Sequence, residues 1–110
     1  MGWIGVDLDG TLADMSRPPV LGNIGPPVEK MVVRIRKWIE AGKEVRIVTA
    51  RVANGPEQVP MIAAWLHAFV TDKNLMITAF KDYGMEELWD DLAVQVIRNT
   101  GERADGMEDI

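Results

Sequence analysis

Apolar residues along this chain follow two rhythms. The run Trp3-Ile4-Gly5-Val6-Asp7-Leu8 is short, apolar and β-branched and ends in acids and Gly10, as a buried strand emptying into a loop does. Further runs have the same form: Val45 to Thr49, Leu75 to Phe80 with Lys81 after it, and Leu88-Trp89 with Asp90 and Asp91 after it. Val94 to Ile97 supplies a fifth strand. Between these runs the period lengthens. Met31, Ile35, Trp38 and Ile39 recur at helical spacing until Gly42, and Met61, Ile62, Trp65, Leu66 and Phe69 form the stripe of a second helix. Pro26 and Pro27 suit the first turn of the first helix, where an N–H would have no partner. Residues 14–27 gather two Pro-Pro pairs, Gly22, Asn23 and Gly25, which predicts a loop, and Asn54-Gly55-Pro56 predicts a turn. Strands alternating with helices predict an α/β fold with a mostly parallel sheet of about five strands flanked by helices.

A chain of 110 residues suits one domain with one core, expected over residues 1–101, with an acidic tail over 102–110. The longest apolar stretch, Met61 to Val70, is broken by His67 and falls short of the ~20 residues that a membrane-spanning helix needs. No basic segment precedes the first apolar run, unlike a secretory signal, so a cytoplasmic protein without a membrane partner is expected. The absence of cysteine excludes disulfides, thiolate nucleophiles and Cys-based zinc sites. The single histidine, His67, cannot build a multi-His metal site, and its place beside Trp65 suits a structural or exposed residue. Catalysis must then rest on carboxylates, Lys, Arg or hydroxyls. Of the net charge of -5, the tail from Glu102 onward holds -3 and the body -2. A body this near neutrality has no broad basic surface for duplex nucleic acid, while a few arginines still suit contact with a strand end.

The polar residues fall where ligands bind. In an open parallel sheet that place is beyond the carboxyl ends of the strands, near the point where strand order reverses. Asp7 with Asp9, Thr49, Lys81, and Asp90 with Asp91 each close a different predicted strand, so they are expected to converge. Carboxylates so gathered repel by about 4 kcal/mol per pair at 4 Å for an effective dielectric of 20. A divalent cation resolves the repulsion. Oxygen ligands without His or Cys make Mg²⁺ the expected ion.

These motifs resemble those of the haloacid dehalogenase-like superfamily of phosphohydrolases. The resemblance rests on Asp7-Leu8-Asp9-Gly10-Thr11-Leu12, Thr49 closing a strand, Lys81, and Asp90-Asp91, in order across residues 3 to 91. It implies a Rossmann-like domain and a phosphatase in which Asp7 attacks phosphorus and forms an aspartyl phosphate. Asp9 would then protonate the leaving oxygen and later deprotonate water, Thr49 would donate to a phosphoryl oxygen, and Lys81 would neutralise its charge. Gly10 and Thr11 would turn the backbone beside the phosphate. Asp7, Asp9 through its carbonyl, Asp90 and Asp91 would hold Mg²⁺ directly or through water. Arg51 and Arg17 are further substrate-binding residues on this view, since guanidinium forks suit phosphate and the phosphatase domains of polynucleotide kinases carry arginines in similar places. The implied substrate is a phosphorylated small molecule, a nucleotide or a nucleic-acid end. Many members have Arg after the paired aspartates, where Leu92 stands here. Larger members carry a cap domain, and neither gap between these motifs has room for one.

Other readings compete. Asp7 and Asp9 also suit a turn cap, Thr49 a strand-end hydroxyl, Lys81 a solvated charge, and Asp90-Asp91 a surface acidic pair. A phospho-accepting receiver domain uses Asp, Thr, Lys and Mg²⁺ in an α/β fold of similar length, but takes its phosphate on a mid-chain strand, and no Asp closes the strand at Val45 to Thr49. A catalytically idle metal- or phosphate-binding module is the other alternative.

Overall fold

The structure, a computed structural model, describes residues 2–108, so that Met1 of the expected domain and Asp109 and Ile110 of the expected tail lie outside the described residues. The elements are β1 (Trp3–Val6), α1 (Glu29–Glu40), β2 (Glu44–Val48), α2 (Ala50–Ala53), α3 (Val59–Phe69), β3 (Met76–Thr78) and β4 (Met85–Trp89), with a 3-10 turn at Pro56–Gln58 before α3. The strands are parallel and lie in the order β3-β2-β1-β4. The chain steps from β1 to β2 to β3 in one direction, and β4 then returns to the other side of β1. Strand order therefore reverses between β1 and β4.

Both long helices pack on one face. Along β1 the side chains alternate, and Ile4 and Val6 join Val45 and Ile47 of β2 in a buried cluster with Met31, Val32 and Ile35 of α1 and Ile62, Trp65 and Leu66 of α3. Crossovers of one hand that step the same way across a sheet place both helices on the same side. The helices also meet at their ends, where Arg36 Nε donates to the carbonyl of Val70 at 2.8 Å. The opposite face carries Trp3 and Arg46, and no long helix covers it. Instead the six residues 79–84 cross it from β3 to β4. Asp82 pins this strap, accepting from Trp3 Nε1 at 2.8 Å and from Arg46 Nη1 at 3.1 Å, while the Arg46 guanidinium stacks 4.3 Å over the Trp3 ring. Trp3 is thereby only 2% exposed on the thinner side of the sheet.

The loop 14–27 is bound to this frame as well. Ile24 is fully buried in the core cluster, Asp14 N donates to Pro26 O at 2.8 Å, and Trp65 Nε1 donates to Gly25 O at 2.9 Å. Pro26 and Pro27 precede the helix instead of opening it, because Pro27 bridges Ala13 and Val28 is the N-cap. A proline does stand at the start of α3, where Pro60 occupies the first turn. Val94 to Ile97 does not join the sheet. Val96 pairs with Arg103 across a turn in which Asn99 and Gly101 have positive φ, so the segment folds back on itself and Val94, Val96 and Ile97 remain about half exposed. The sheet has four strands among the described residues. No helix of these residues is long and apolar enough to cross a membrane.

Trp65 joins α3 to the loop through both packing and its indole N–H. Trp65→Ala is expected to cost about 3–5 kcal/mol in urea unfolding, and Trp65→Phe, which removes the bond to Gly25 and part of the ring but keeps much of the packing, about 1–2 kcal/mol. Equal costs for the two variants would show that the tether to the loop, not the packing, is what Trp65 provides.

Candidate functional site

The first strand ends in a tight turn that two leucines anchor. Leu8 and Leu12 are fully buried, and the carbonyl of Leu8 accepts from Leu12 N at 2.9 Å and Ala13 N at 2.8 Å. The residues between them are left at the surface of the site. Gly10 has φ +89°, a conformation that other residues rarely adopt, and a Cβ there would make the Asp91 carboxylate swing away. Thr11 Oγ1 donates to the same carboxylate at 3.2 Å.

The register of the sheet brings the two acidic strand ends together. Val6 pairs with Trp89, and Asp7 N donates to Trp89 O at 2.9 Å, which sets Asp7 level with Asp90 at the reversal point between β1 and β4. One oxygen from each of Asp7, Asp90 and Asp91 lies within 4.8 Å of the others, a spacing that could hold a metal ion. The crowding acts on Asp7. Burial, the charge of Asp90 and a hydrogen bond with Asp91 push its carboxyl from 3.8 up to about 7. Asp90 Oδ1 also accepts from Leu92 N at 2.7 Å, so the backbone itself braces the acidic loop, with the Leu92 side chain in solvent.

Asp9 turns elsewhere. Its carboxylate is forked by Arg51, with Nε to Oδ2 at 2.7 Å and Nη2 to Oδ1 at 2.9 Å, and so it lies outside the group formed by the other three acids. Arg51 stands in α2, a single helical turn whose N-cap is Thr49. Thr49 is 3% exposed, and its Oγ1 accepts from Arg51 N at 3.2 Å. The other edge of the guanidinium reaches the loop, where Nη1 donates to Asn23 Oδ1 and Nη2 to Asn23 O at 3.2 Å. The structure thus joins Asp9, Thr49 and Arg51 in one arrangement beside the acidic group.

Lys81 and Arg17 are not drawn in. Lys81 is exposed on the strap three residues past β3, and two strand spacings, about 9–10 Å, separate β3 from β1. Neither Lys81 nor Arg17 forms a hydrogen bond or ion pair among the described residues. Arg17 lies in the exposed part of the loop, near the carboxylate of Asp14. His67 is exposed and pairs with Asn74 at 3.0 Å. It lines an apolar hollow of about 240 Å³ between α3 and β3 to which none of the acids contributes.

Two features of the site escape sequence reading. The helical turn α2 is four residues long, too short for a periodic signal, yet it aims Arg51. Asn23 reads as ordinary loop chemistry, and only the folded loop shows it facing Arg51.

No protein-family model, no curated protein and no solved structure matches this chain.

The raised Asp7 carboxyl ties stability to pH. The folded protein holds a proton that the unfolded chain releases near 3.8, so its contribution is complete below that value and is lost as pH rises through about 7. In EDTA, Asp7→Asn is expected to melt higher than the parent at pH 8, by roughly 1–2 kcal/mol after solvent screening of a half-buried site, and the gain is expected to disappear by pH 4. A variant less stable than the parent at pH 8 would show that the crowding of these acids is not costly.

Proposed function

We propose that the chain is a small, capless, Mg²⁺-dependent phosphatase, similar to the haloacid dehalogenase-like superfamily, that hydrolyses phosphate monoesters through an aspartyl phosphate on Asp7. The observation that carries this reading is the joining of Asp7, Asp90 and Asp91, their oxygens within 4.8 Å, at the reversal of strand order. The donor set is all carboxylate, which suits a hard cation, and Asp7, pushed up to about 7 by burial first and by Asp90 and Asp91 after it, is a carboxyl that a bound cation would return to its ionised form. The residues therefore fit Mg²⁺, held by Asp7, Asp90 and Asp91. When bound, the ion supplies positive charge that favours the ionised form of Asp7 and offsets charge on the phosphoryl oxygens.

On this reading an oxygen of Asp7 attacks phosphorus, the bond to the leaving oxygen breaks, and Asp9 gives that oxygen a proton. Water then attacks the aspartyl phosphate, Asp9 takes its proton, and inorganic phosphate leaves with Asp7 restored. Thr49 and Lys81 would meet the phosphoryl oxygens, the latter across the sheet on its flexible stem. The gaps that hold a cap in larger enzymes contain here only the loop 14–27, α1 and β2 in one case and α2, the 3-10 turn, α3 and β3 in the other. An open site of this kind admits a nucleotide or a strand end as readily as a small phosphate ester.

Turnover of p-nitrophenyl phosphate in millimolar Mg²⁺ tests the reaction. Asp7→Asn is expected to abolish release of nitrophenol while the far-UV spectrum stays that of the parent. An inactive parent, or an active variant, would refute the assignment. The ion is tested separately by melting. At ten times Kd, Mg²⁺ is expected to add about 1.4 kcal/mol of stability, a rise of several degrees that Asp90→Asn removes. Identical melting curves with and without Mg²⁺ would rule out the site.

A further inference from the structure

Sequence reasoning assigns Arg51 to the phosphate, but the donors of its side chain are already in use. A guanidinium has five N–H groups. Nε–H and one hydrogen of Nη2 go to the two oxygens of Asp9, the other hydrogen of Nη2 goes to Asn23 O, and Nη1 gives one to Asn23 Oδ1. A single N–H remains, too few for the two-pronged grip on phosphate that makes arginine useful. To seize a phosphate in that way Arg51 would have to let go of Asp9 or of the loop.

We propose that Arg51 is a positioning residue: its fork fixes the carboxylate of Asp9, and its grip on Asn23 latches the loop 14–27 to α2 on the same side of the site. The proposal rests on the phosphatase reading for its consequence, since Asp9 is there the group that takes the proton of the attacking water, a step that needs the ionised carboxylate Arg51 forks. A general base must come within hydrogen-bond reach of the proton it takes, and an aspartate side chain without a partner samples several rotamers. Two bonds to one planar group remove that freedom. Arg51 is itself fixed, because its backbone N–H is bound to the buried Thr49 and the loop tip it holds is anchored by Ile24 in the core. Asp9 is thus braced from two independent parts of the frame, α2 and the loop.

Kinetics and a spectroscopic signal test this together. With p-nitrophenyl phosphate and with an alkyl phosphate in Mg²⁺, Arg51→Ala is expected to lower kcat on both esters by about 100-fold, the scale of a misplaced catalytic group, while KM changes little. Arg51→Lys is expected to fail as a rescue, because an ammonium cannot fork, and Asn23→Ala is expected to show a smaller loss in kcat. In the ¹H–¹⁵N spectrum the Arg51 Nε–H, identified by its loss in Arg51→Lys, is expected to exchange slowly in the parent and faster in Asp9→Asn and Asn23→Ala. A rise in KM with kcat kept would make Arg51 a substrate ligand and overturn the proposal. So would fast exchange of Nε–H in the parent. If the parent shows no turnover but the slow Nε–H depends on Asp9 and Asn23, the phosphatase reading fails and the latch stands.

Discussion

Three carboxylates held within 4.8 Å of one another set the terms for the rest of this structure. Unscreened, such a group pushes its own strands apart, so the ends of β1 and β4 must be held by something that does not yield. The holding is done by apolar burial just behind the charges. Val6 and Leu8 flank Asp7 and are fully buried, Leu12 closes the turn, and Trp89, next to Asp90, packs at 5.3 Å on Trp38 of α1. Burial first, and then the charge of Asp90 and the hydrogen bond with Asp91, push the Asp7 carboxyl up, a chemical response, because the backbone that carries it is held by the buried residues on either side.

The two faces of the sheet share this load unequally. The helix face is a continuous cluster that runs from β1 through α1 and α3 and takes in Ile24 of the loop. The other face has no such layer, and its one deeply buried side chain, Trp3, is sealed by a cation stacked on its ring and by the carboxylate of Asp82. A short strap in place of a helix keeps the chain small. It also leaves Phe80 and Tyr83 exposed and puts Lys81 on a segment fixed chiefly by Asp82 and by the bond from Phe80 N to Thr78 Oγ1.

Much of this was legible in the residues. Alternation and helical spacing place the four strands that form, the two long helices and the polar strand ends, since each depends on local patterns of burial. The positions of Asp7, Asp90 and Asp91 follow from the same reading because parallel strands must put their carboxyl ends on one side. What the sequence does not disclose depends on contacts made at a distance. Val94 to Ile97 has the composition of a strand, but turn residues Asn99 and Gly101 fold it back, and no rule of composition says which tendency prevails. Pro26 and Pro27 suit a helix start, yet the bridge from Pro27 to Ala13 claims them for the loop. Asp9 and Asp7 are two residues apart on what reads as one extended strand, but the strand ends at Val6, and beyond it the two carboxylates find different partners.

That parting of the two aspartates has an electrostatic logic. If Asp9 faced the same point as Asp7, Asp90 and Asp91, four negative charges would meet at the mouth of the site, and a single divalent cation would leave half of them unanswered. Arg51 removes one from the reckoning by pairing with it, at a distance where two partly buried groups interact strongly. Three remain, with oxygens near enough to one another that a cation could bridge them. Charge at the site is thus divided: one carboxylate is answered by a guanidinium that Thr49 fixes, and three are left together. The division explains why the arginine belongs on a turn directly after β2. From there it reaches the Asp9 carboxylate from the β2 side of β1, the side opposite β4, and so neutralises one acid without crowding the other three.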